Sequence, residues 1–232
     1  MKNAKHFLSA SILVVGMALS SFSHASVVMI DDFSDIQSVT DFGVTQDSTS
    51  KTLSNVNGTS LVNVSRTFIA KASNRISAIE SIETKENSLS ISNNSTSTGI
   101  ASIQWDFEPF DFTGYANEMS LAVLYIDQNP NISVSVEMVV NGVSRSGLKT
   151  FSKTGDISFA FNDFTNSAVF AEVNSLRLNF SGTQAWDAIF RFSAMAAPQG
   201  GLTAVPLPTS LVLMGSVLLG FIGVSRKSVS CS

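Results

Sequence analysis

Alternation of apolar and polar residues is the main periodic signal along the chain. Every second residue over 101–108 is apolar, and 132–140 keeps the same period almost throughout. A period of two turns one set of side chains toward a core and the other toward water, which predicts β-strands. Further alternating sets occur at 119–125, 157–161, 176–180 and 186–192.

A turn signal follows one of these segments directly. Asn141 and Gly142 come after 132–140, and both residue types adopt the positive φ angles that a type I′ turn requires. We therefore expect a β-hairpin in which residues 143–151 return beside the 132–140 strand.

Residues 73–86 carry a conflicting period. Ile76, Ile79 and Ile82 follow helical spacing, and Ser77 with Glu80 has the spacing of a helix capping box. The neighbouring segments are all of strand type, so we interpret 73–86 as a strand and a loop.

The predicted strands are short, numerous and not separated by helical segments. This pattern predicts an all-β fold closed as a single β-sandwich. The stretch between the two ends of the chain has the length of one domain, so we place the β-sandwich over 26–195 and a linker over 196–204.

The first 25 residues have the features of a secretory signal peptide. Lys2 and Lys5 precede a mostly apolar stretch over 7–19, and a small-x-small cleavage site ends at Ala25. The apolar stretch is shorter than the ~20 residues that span a bilayer. We expect a signal helix over 1–25, export by the Sec machinery and cleavage after Ala25.

The C-terminal end combines a proline motif, an apolar segment and a basic pair. The apolar segment ends at residue 224 and is followed by Arg226 and Lys227. Together with the motif it reaches the ~20 residues of a membrane-spanning helix, which we place over 207–225, and the basic pair favours a cytoplasmic end. The motif consists of Val205, Pro206, Leu207 and Pro208.

This order of motif, apolar helix and basic tail over 205–232 resembles the sorting tails of the PEP-CTERM family, in the variant with Leu between the prolines. The resemblance implies recognition by an exosortase and transient anchoring in the inner membrane. It further implies delivery to the cell surface or extracellular matrix of a Gram-negative bacterium. An ordinary single-pass membrane anchor is the alternative interpretation.

The reactive residue types lie only in the two ends. His6, His24 and Cys231 fall outside 26–204, which excludes from that stretch a Ser-His-Asp triad, a Cys nucleophile, a disulfide framework and an ordinary zinc or copper site. All 18 acidic residues but only ten of the 14 basic residues lie within 26–204, so its net charge is −8. A nucleic-acid partner is excluded on this charge balance, because phosphate binding needs basic patches.

Parts of the middle stretch resemble galactose-binding-like jelly rolls, a β-sandwich family that includes many carbohydrate-binding modules. The segments 161–164, 173–182 and 185–187 resemble the second half of such domains, and 31–33 resembles their first strand. The resemblance implies a jelly-roll-like fold.

The same resemblance implies a structural Ca²⁺ near the first and last strands. Asp31, Asp32 and Asp187 are the candidate ligands. The alternative is that Asp32 or Asp187 is a turn or edge carboxylate. No other cofactor is expected.

Aromatic side chains are the usual platform for sugars, because a ring face packs against the C–H face of a pyranose. Trp105 and Trp186 fall on the apolar phase of their strands and are therefore expected in the core. The candidates for sugar stacking are Phe110, Phe112, Tyr115 and Tyr125.

Asp106 and Glu108 form the one pattern that suits a paired-carboxylate glycosidase. They share the polar phase of their strand, however, and a general acid needs burial to raise its pKa. We interpret them as a solvated acidic edge.

These observations predict a non-catalytic surface or matrix protein that binds extracellular polysaccharide and contacts the membrane only through its tail before processing. One alternative is a purely structural matrix or adhesin protein without glycan binding. The other is a β-sandwich carbohydrate-active enzyme.

Overall fold

The computed structural model describes residues 27–44, 47–73, 75–127, 133–183 and 185–195. The predicted signal peptide with its cleavage site at Ala25, the linker and the membrane helix lie outside these residues, so they stay predictions. The same holds for the sorting motif, which consists of Val205, Pro206, Leu207, Pro208, Arg226 and Lys227. Within the described ranges, no helix is long and apolar enough to cross a membrane.

Strands account for nearly all regular structure in the described residues. Two short 3₁₀ helices, Phe161–Asp163 and Ser167–Ala171, lie between the last strands. The strands are β1 Val28–Asp31, β2 Ser38–Asp41, β3 Thr49–Ser54, β4 Ser65–Lys71, β5 Glu80–Lys85, β6 Ser88–Asn93, β7 Ile100–Phe110, β8 Glu118–Ile126, β9 Val134–Val140, β10 Ser144–Arg145, β11 Lys149–Phe151, β12 Gly155–Ala160, β13 Val173–Gly182 and β14 Trp186–Met195.

The strands form two antiparallel sheets. Sheet A has the order β12-β8-β14-β6-β5-β2, and β1 pairs with the far end of β14. Sheet B has the order β10-β9-β13-β7-β4-β3, and β11 pairs with β9 beside β10. The chain crosses repeatedly from one sheet to the other, as in jelly-roll-like sandwiches.

One hydrophobic core lies between the sheets and is built by the alternating phase of each strand. Trp105 on β7 and Trp186 on β14 are fully buried in it, as predicted. Trp105 stacks on Phe192 with 5.3 Å between ring centroids, which joins the two sheets. The prediction of an all-β sandwich is confirmed.

The hairpin at Asn141-Gly142 is present, with φ angles of 51° and 69° and a hydrogen bond from Val143 N to Val140 O. The return is not one strand, because the register slips by one residue between β10 and β11. At this bulge the hydroxyl oxygen of Ser146 accepts the N–H of Met138, so the side chain replaces a ladder carbonyl.

The ambiguous segment 73–86 is a turn followed by β5, which confirms the strand-and-loop interpretation. Ser77 has φ of 70° and lies outside any helix. Asn94 stabilises the turn, since its Oδ1 accepts the N–H of Ile79 and its Nδ2 donates to the carbonyl of Ser77. Long-range side-chain bonds thus override the helical spacing of the isoleucines.

Candidate functional site

The outward side of sheet B carries rows of polar side chains that cross several strands; we call it the polar face. In one row Arg177 on β13 lies opposite Gln104 on β7, which lies opposite Thr67 on β4. In the next row Asn179 lies opposite Glu137 on one side and Ser102 on the other. Antiparallel pairing therefore brings residues far apart in sequence into contact.

Hydrogen bonds connect these side chains into a network. Arg177 donates to the amide oxygen of Gln104 from two nitrogens, at 2.9 Å from Nε. The Gln104 amide nitrogen in turn donates to both carboxylate oxygens of Asp106, at 2.8 and 3.0 Å. These side chains hold one another in fixed orientations although they face solvent.

The second row is connected in the same way. Ser102 donates to Asn179 Oδ1 at 2.9 Å, and Asn179 Nδ2 lies 3.5 Å from Glu137 Oε2. The same Glu137 oxygen accepts from Arg145 at 2.7 Å. Guanidinium, amide, carboxylate and hydroxyl groups thus alternate across β10, β9, β13 and β7.

A depression of about 220 Å³ opens within the polar face. Its lining includes Gln104 and Arg177 from the first row, Asn179 from the second, and the hairpin turn at Asn141 and Gly142. Asn141 joins this turn to β13, because its Oδ1 accepts the N–H groups of Asn174 and Ser175. The turn that walls the depression is therefore fixed to β13 as well as to β9, the strand that it follows.

The Asp106 and Glu108 carboxylates do not form an isolated pair. Asp106 accepts from Gln104, and Glu108 accepts from the amide of Asn63 at 2.6 Å. Glu108 is exposed and Asp106 half-buried. Both are paired with neutral donors on an open surface, which is the solvated edge expected from the sequence.

Phe112 is a correction to the predicted sugar platform. It is fully buried in the core, whereas the sequence analysis named it as a candidate for sugar stacking. Its N–H donates to the carbonyl of Phe170, and its ring packs edge-on against Phe107 and Phe110. These contacts fold the 111–116 segment back onto the core, so the Phe112 ring has no free face for a sugar.

The two tyrosines are exposed but do not share a platform. Tyr115 is 49% exposed and stacks on half-buried Phe110, with 5.3 Å between ring centroids. Tyr125 is 46% exposed, and its hydroxyl donates to Asp127 at 2.8 Å, a contact that raises the pKa of the phenol. Tyr115 precedes β8 while Tyr125 is near its other end, so the strand length separates them.

Asp31 lies in a buried ion pair. Its Oδ2 accepts from Arg66 at 2.7 Å and from Trp105 Nε1 at 2.8 Å, and its Oδ1 accepts the N–H of Phe33 at 2.8 Å. Burial raises the pKa of Asp31, and the Arg66 charge and these hydrogen bonds oppose that shift. Both carboxylate oxygens of Asp31 are thus occupied by donors from the protein itself.

Arg66 is fully buried and fully partnered. Besides Asp31 it donates to the side chain of Gln37 at 2.8 Å and the carbonyl of Asp35 at 2.8 Å, and its guanidinium lies 5.0 Å from the centroid of the Phe68 ring. We call Arg66 and these partners the arginine cluster. The cluster joins β4 to β1 and to the loop that follows β1.

The three carboxylates implied as calcium ligands are not brought together. Asp31 pairs with Phe192 near the end of β14, whereas Asp187 lies at the start of that strand. Asp32 accepts from the N–H of Ser34. Among the described residues, no group of three or more acidic, His or Cys side chains is placed to hold a metal ion.

The buried Arg66 and the side chains of the polar face both had signals in the sequence that the prediction of strands did not use. Arg66 shares the alternating phase of Phe68 and Ala70, and a charge in phase with core residues indicates a buried ion pair. Gln104, Arg177 and Asn179 occupy the polar phase of strands that were predicted correctly. Their convergence depended on register, which the local pattern does not contain.

Comparisons with known proteins give likenesses to solved structures alone. No protein-family model matches the chain, and no curated protein matches it. One similar structure is a family 11 carbohydrate-binding module from Clostridium thermocellum in complex with a β-1,3-1,4-mixed-linked tetrasaccharide, with 12% identity, a TM-score of 0.41 and coverage of 75% of this chain and 98% of that chain. Another is the family 11 module of the cellulosomal cellulase Lic26A-Cel5E of the same organism, with 13% identity, a TM-score of 0.37 and coverage of 75% and 97%.

Proposed function

We propose that this chain is a non-catalytic, exported protein whose β-sandwich binds extracellular polysaccharide through the polar face. The observation that carries this proposal is the hydrogen-bonded network across four strands around the 220 Å³ depression.

The chemistry of the network suits sugar hydroxyls. A hydroxyl both donates and accepts, so a surface that alternates carboxylate acceptors with guanidinium donors and amides, which do both, can satisfy several hydroxyls at once. Because Arg177, Gln104 and Asn179 are already held by their neighbours, binding costs little side-chain ordering.

The same network argues for binding without catalysis. A glycosidase acid needs a raised pKa, which comes from burial or from a neighbouring like charge. Asp106 is held by a neutral amide on an open surface, and Glu137 is paired with Arg145. Both carboxylates lie on the outward side of sheet B and are not enclosed in the core.

Export and sorting are part of the proposal and are supported by the two end sequences. The tail motif at 205–208 with the basic pair at 226–227 supports processing by an exosortase. Intact mass spectrometry of the protein recovered from its natural host tests both ends. Retention of residues 1–25 or 211–227 in the mature protein, in a strain with an active exosortase, would contradict the sorting part of the proposal.

The binding proposal is tested by affinity electrophoresis and a glycan array on the purified protein. Arg177→Ala removes the central donor of the polar face and should weaken polysaccharide binding by about tenfold or more, the equivalent of one charged hydrogen bond. The matched control is Arg191→Ala, an exposed arginine on the outward side of sheet A.

Three results would overturn this proposal. The protein could bind no polysaccharide, including the matrix polymer of its own host, which would favour the purely structural alternative. The control variant could lose as much affinity as the Arg177 variant, or the Arg177 variant could bind normally. Either would show that the polar face is not the binding surface.

A further inference from the structure

One end of the sandwich interior contains polar atoms that no protein group satisfies. Among the described residues, the buried side-chain atoms without a hydrogen-bond partner are both carboxylate oxygens of Glu80, Oδ1 of Asn93 and Nε1 of Trp186. All three residues are at least 98% buried. Such atoms are rare in folded proteins because each costs free energy, so their concentration in one place needs an explanation.

These residues are neighbours in one row across sheet A. Asp41 on β2 pairs with Glu80 on β5, Glu80 pairs with Asn93 on β6, and Asn93 pairs with Trp186 on β14. All four side chains belong to the buried phase of their strands. We call them the polar row. The adjacent inward row is entirely apolar and consists of Val39, Ile82, Ile91 and Ala188.

The polar row holds two carboxylates side by side. Both Asp41 oxygens have protein partners, since Oδ2 accepts the N–H of Ala72 at 2.7 Å and Oδ1 accepts the hydroxyl of Thr49 at 3.4 Å. Burial and the Asp41 charge together raise the pKa of Glu80 to about 8. Two buried acids on directly opposed residues require a proton or a cation between the strands.

Two glycines pack tightly against the polar row, one just before β7 and one at the end of β13. A Cβ on Gly99 would lie 2.6 Å from Glu80 Oε2 and 2.4 Å from the carbonyl oxygen of Lys71. A Cβ on Gly182 would lie 2.8 Å from Trp186 Nε1. The Lys71 carbonyl oxygen therefore lies no more than about 5 Å from the free Glu80 oxygen, which allows one ion to contact both.

We propose that the polar row binds one Ca²⁺ ion through Glu80, Asn93 and the carbonyl of Lys71. Asp41 supplies the second negative charge, so the ion neutralises the pair. Trp186 Nε1 donates to a water molecule that completes the coordination.

Calcium fits these donors better than magnesium does. Calcium accepts six to eight oxygens in irregular geometry, including bidentate carboxylates and backbone carbonyls. Magnesium requires a near-ideal octahedron and retains most of its water, for which a buried site with a bidentate acid is unsuited. The site is separate from the polar face, so calcium binding and polysaccharide binding can be tested independently.

The test combines calorimetric titration of the chelator-treated protein with thermal unfolding. Ca²⁺ should bind with one-to-one stoichiometry and raise the unfolding midpoint by about 5 °C or more at saturation. Glu80→Gln should abolish both effects. The matched control is Glu83→Gln on the exposed face of the same strand, which should keep both.

A luminescent probe locates the site even if a Glu80 variant folds poorly. Terbium ions occupy calcium sites and emit when a nearby tryptophan is excited, so terbium should emit in the wild type and be displaced by Ca²⁺. Trp186→Phe should lose most of the emission.

Several results would overturn the proposal. The wild type could bind neither ion, which would mean that the polar row holds water or a proton. The Glu80 variant could bind as well as the wild type, the Glu83 variant could lose binding, or Mg²⁺ could compete at equal concentration. Each of these results would show that calcium does not bind at the polar row or that the site does not select calcium.

Discussion

The arginine cluster and the polar row bury polar groups at opposite ends of the same sandwich, with opposite outcomes. Both touch β14, since Asp31 pairs with Phe192 near its end while Trp186 begins it. In the arginine cluster every charged atom has a protein partner. In the polar row four atoms have none.

The difference separates a structural role from a binding role. A buried charge that is completely partnered links strands and leaves nothing for a ligand. A buried acid without donors is costly for the protein alone and becomes favourable only when an outside cation or proton supplies the missing charge. Removing one partner from the arginine cluster should therefore lower the free energy of unfolding. The contribution of the polar row to stability should instead depend on pH and on bound metal.

The largest effect is expected from Arg66→Met. It leaves Asp31 buried without its counter-ion, so the free energy of unfolding should fall by about 3–5 kcal/mol, measured by urea denaturation. The double variant Arg66→Met with Asp31→Leu removes both charges and should recover much of that loss. A loss below about 1 kcal/mol for the single variant would show that the Arg66–Asp31 pair contributes no more to stability than an ordinary surface ion pair.

The next effect concerns Glu80 in the absence of metal. Because its folded pKa is raised, its contribution to stability is fully present below its ordinary value of 4.5 and is lost as pH rises through about 8. In chelator the wild type should lose stability over this window, at up to about 1.4 kcal/mol per pH unit.

Glu80→Gln should flatten this dependence, because the amide does not titrate. In chelator at pH 8 it should be more stable than the wild type by about 4 kcal/mol, and near pH 4.5 the two should be similar. Urea midpoints at both pH values check this. An unchanged pH dependence in the variant would show that another group titrates.

A smaller effect is expected from adding a methyl group at the tight contact between Gly99 and the polar row. Gly99→Ala places a methyl group against the Lys71 carbonyl and Glu80 Oε2, and should destabilise the protein by about 1–2 kcal/mol. Gly114→Ala is the matched control, because nothing lies within 4 Å of its Cβ position. Equal effects of the two substitutions on the urea midpoint would argue against a tight contact at Gly99.

The smallest effect is expected on the polar face. Arg145→Ala removes an ion pair with Glu137 whose Arg side chain is about half exposed, and should change the free energy of unfolding by less than about 1 kcal/mol. Thermal unfolding with and without 0.5 M salt checks this. A loss as large as that of Arg66→Met would show that the exposed ion pair contributes as much to stability as the buried one.

The sequence alone determined the strands and the inward side of most of them. Alternation over 101–108 and 186–192 predicted correctly that Trp105 and Trp186 are buried, and Asn141-Gly142 predicted its hairpin turn. These features are local, because a period of two or a positive φ depends on adjacent residues.

Tertiary structure alone decided which side chains meet. It buried Phe112, separated Tyr115 from Tyr125, and paired Asp31 with Arg66 rather than with Asp187. It also aligned the four members of the polar row from four strands. Such contacts depend on strand order and register, which are set by the packing of the whole core, and a shift of one residue would turn each side chain to the opposite face.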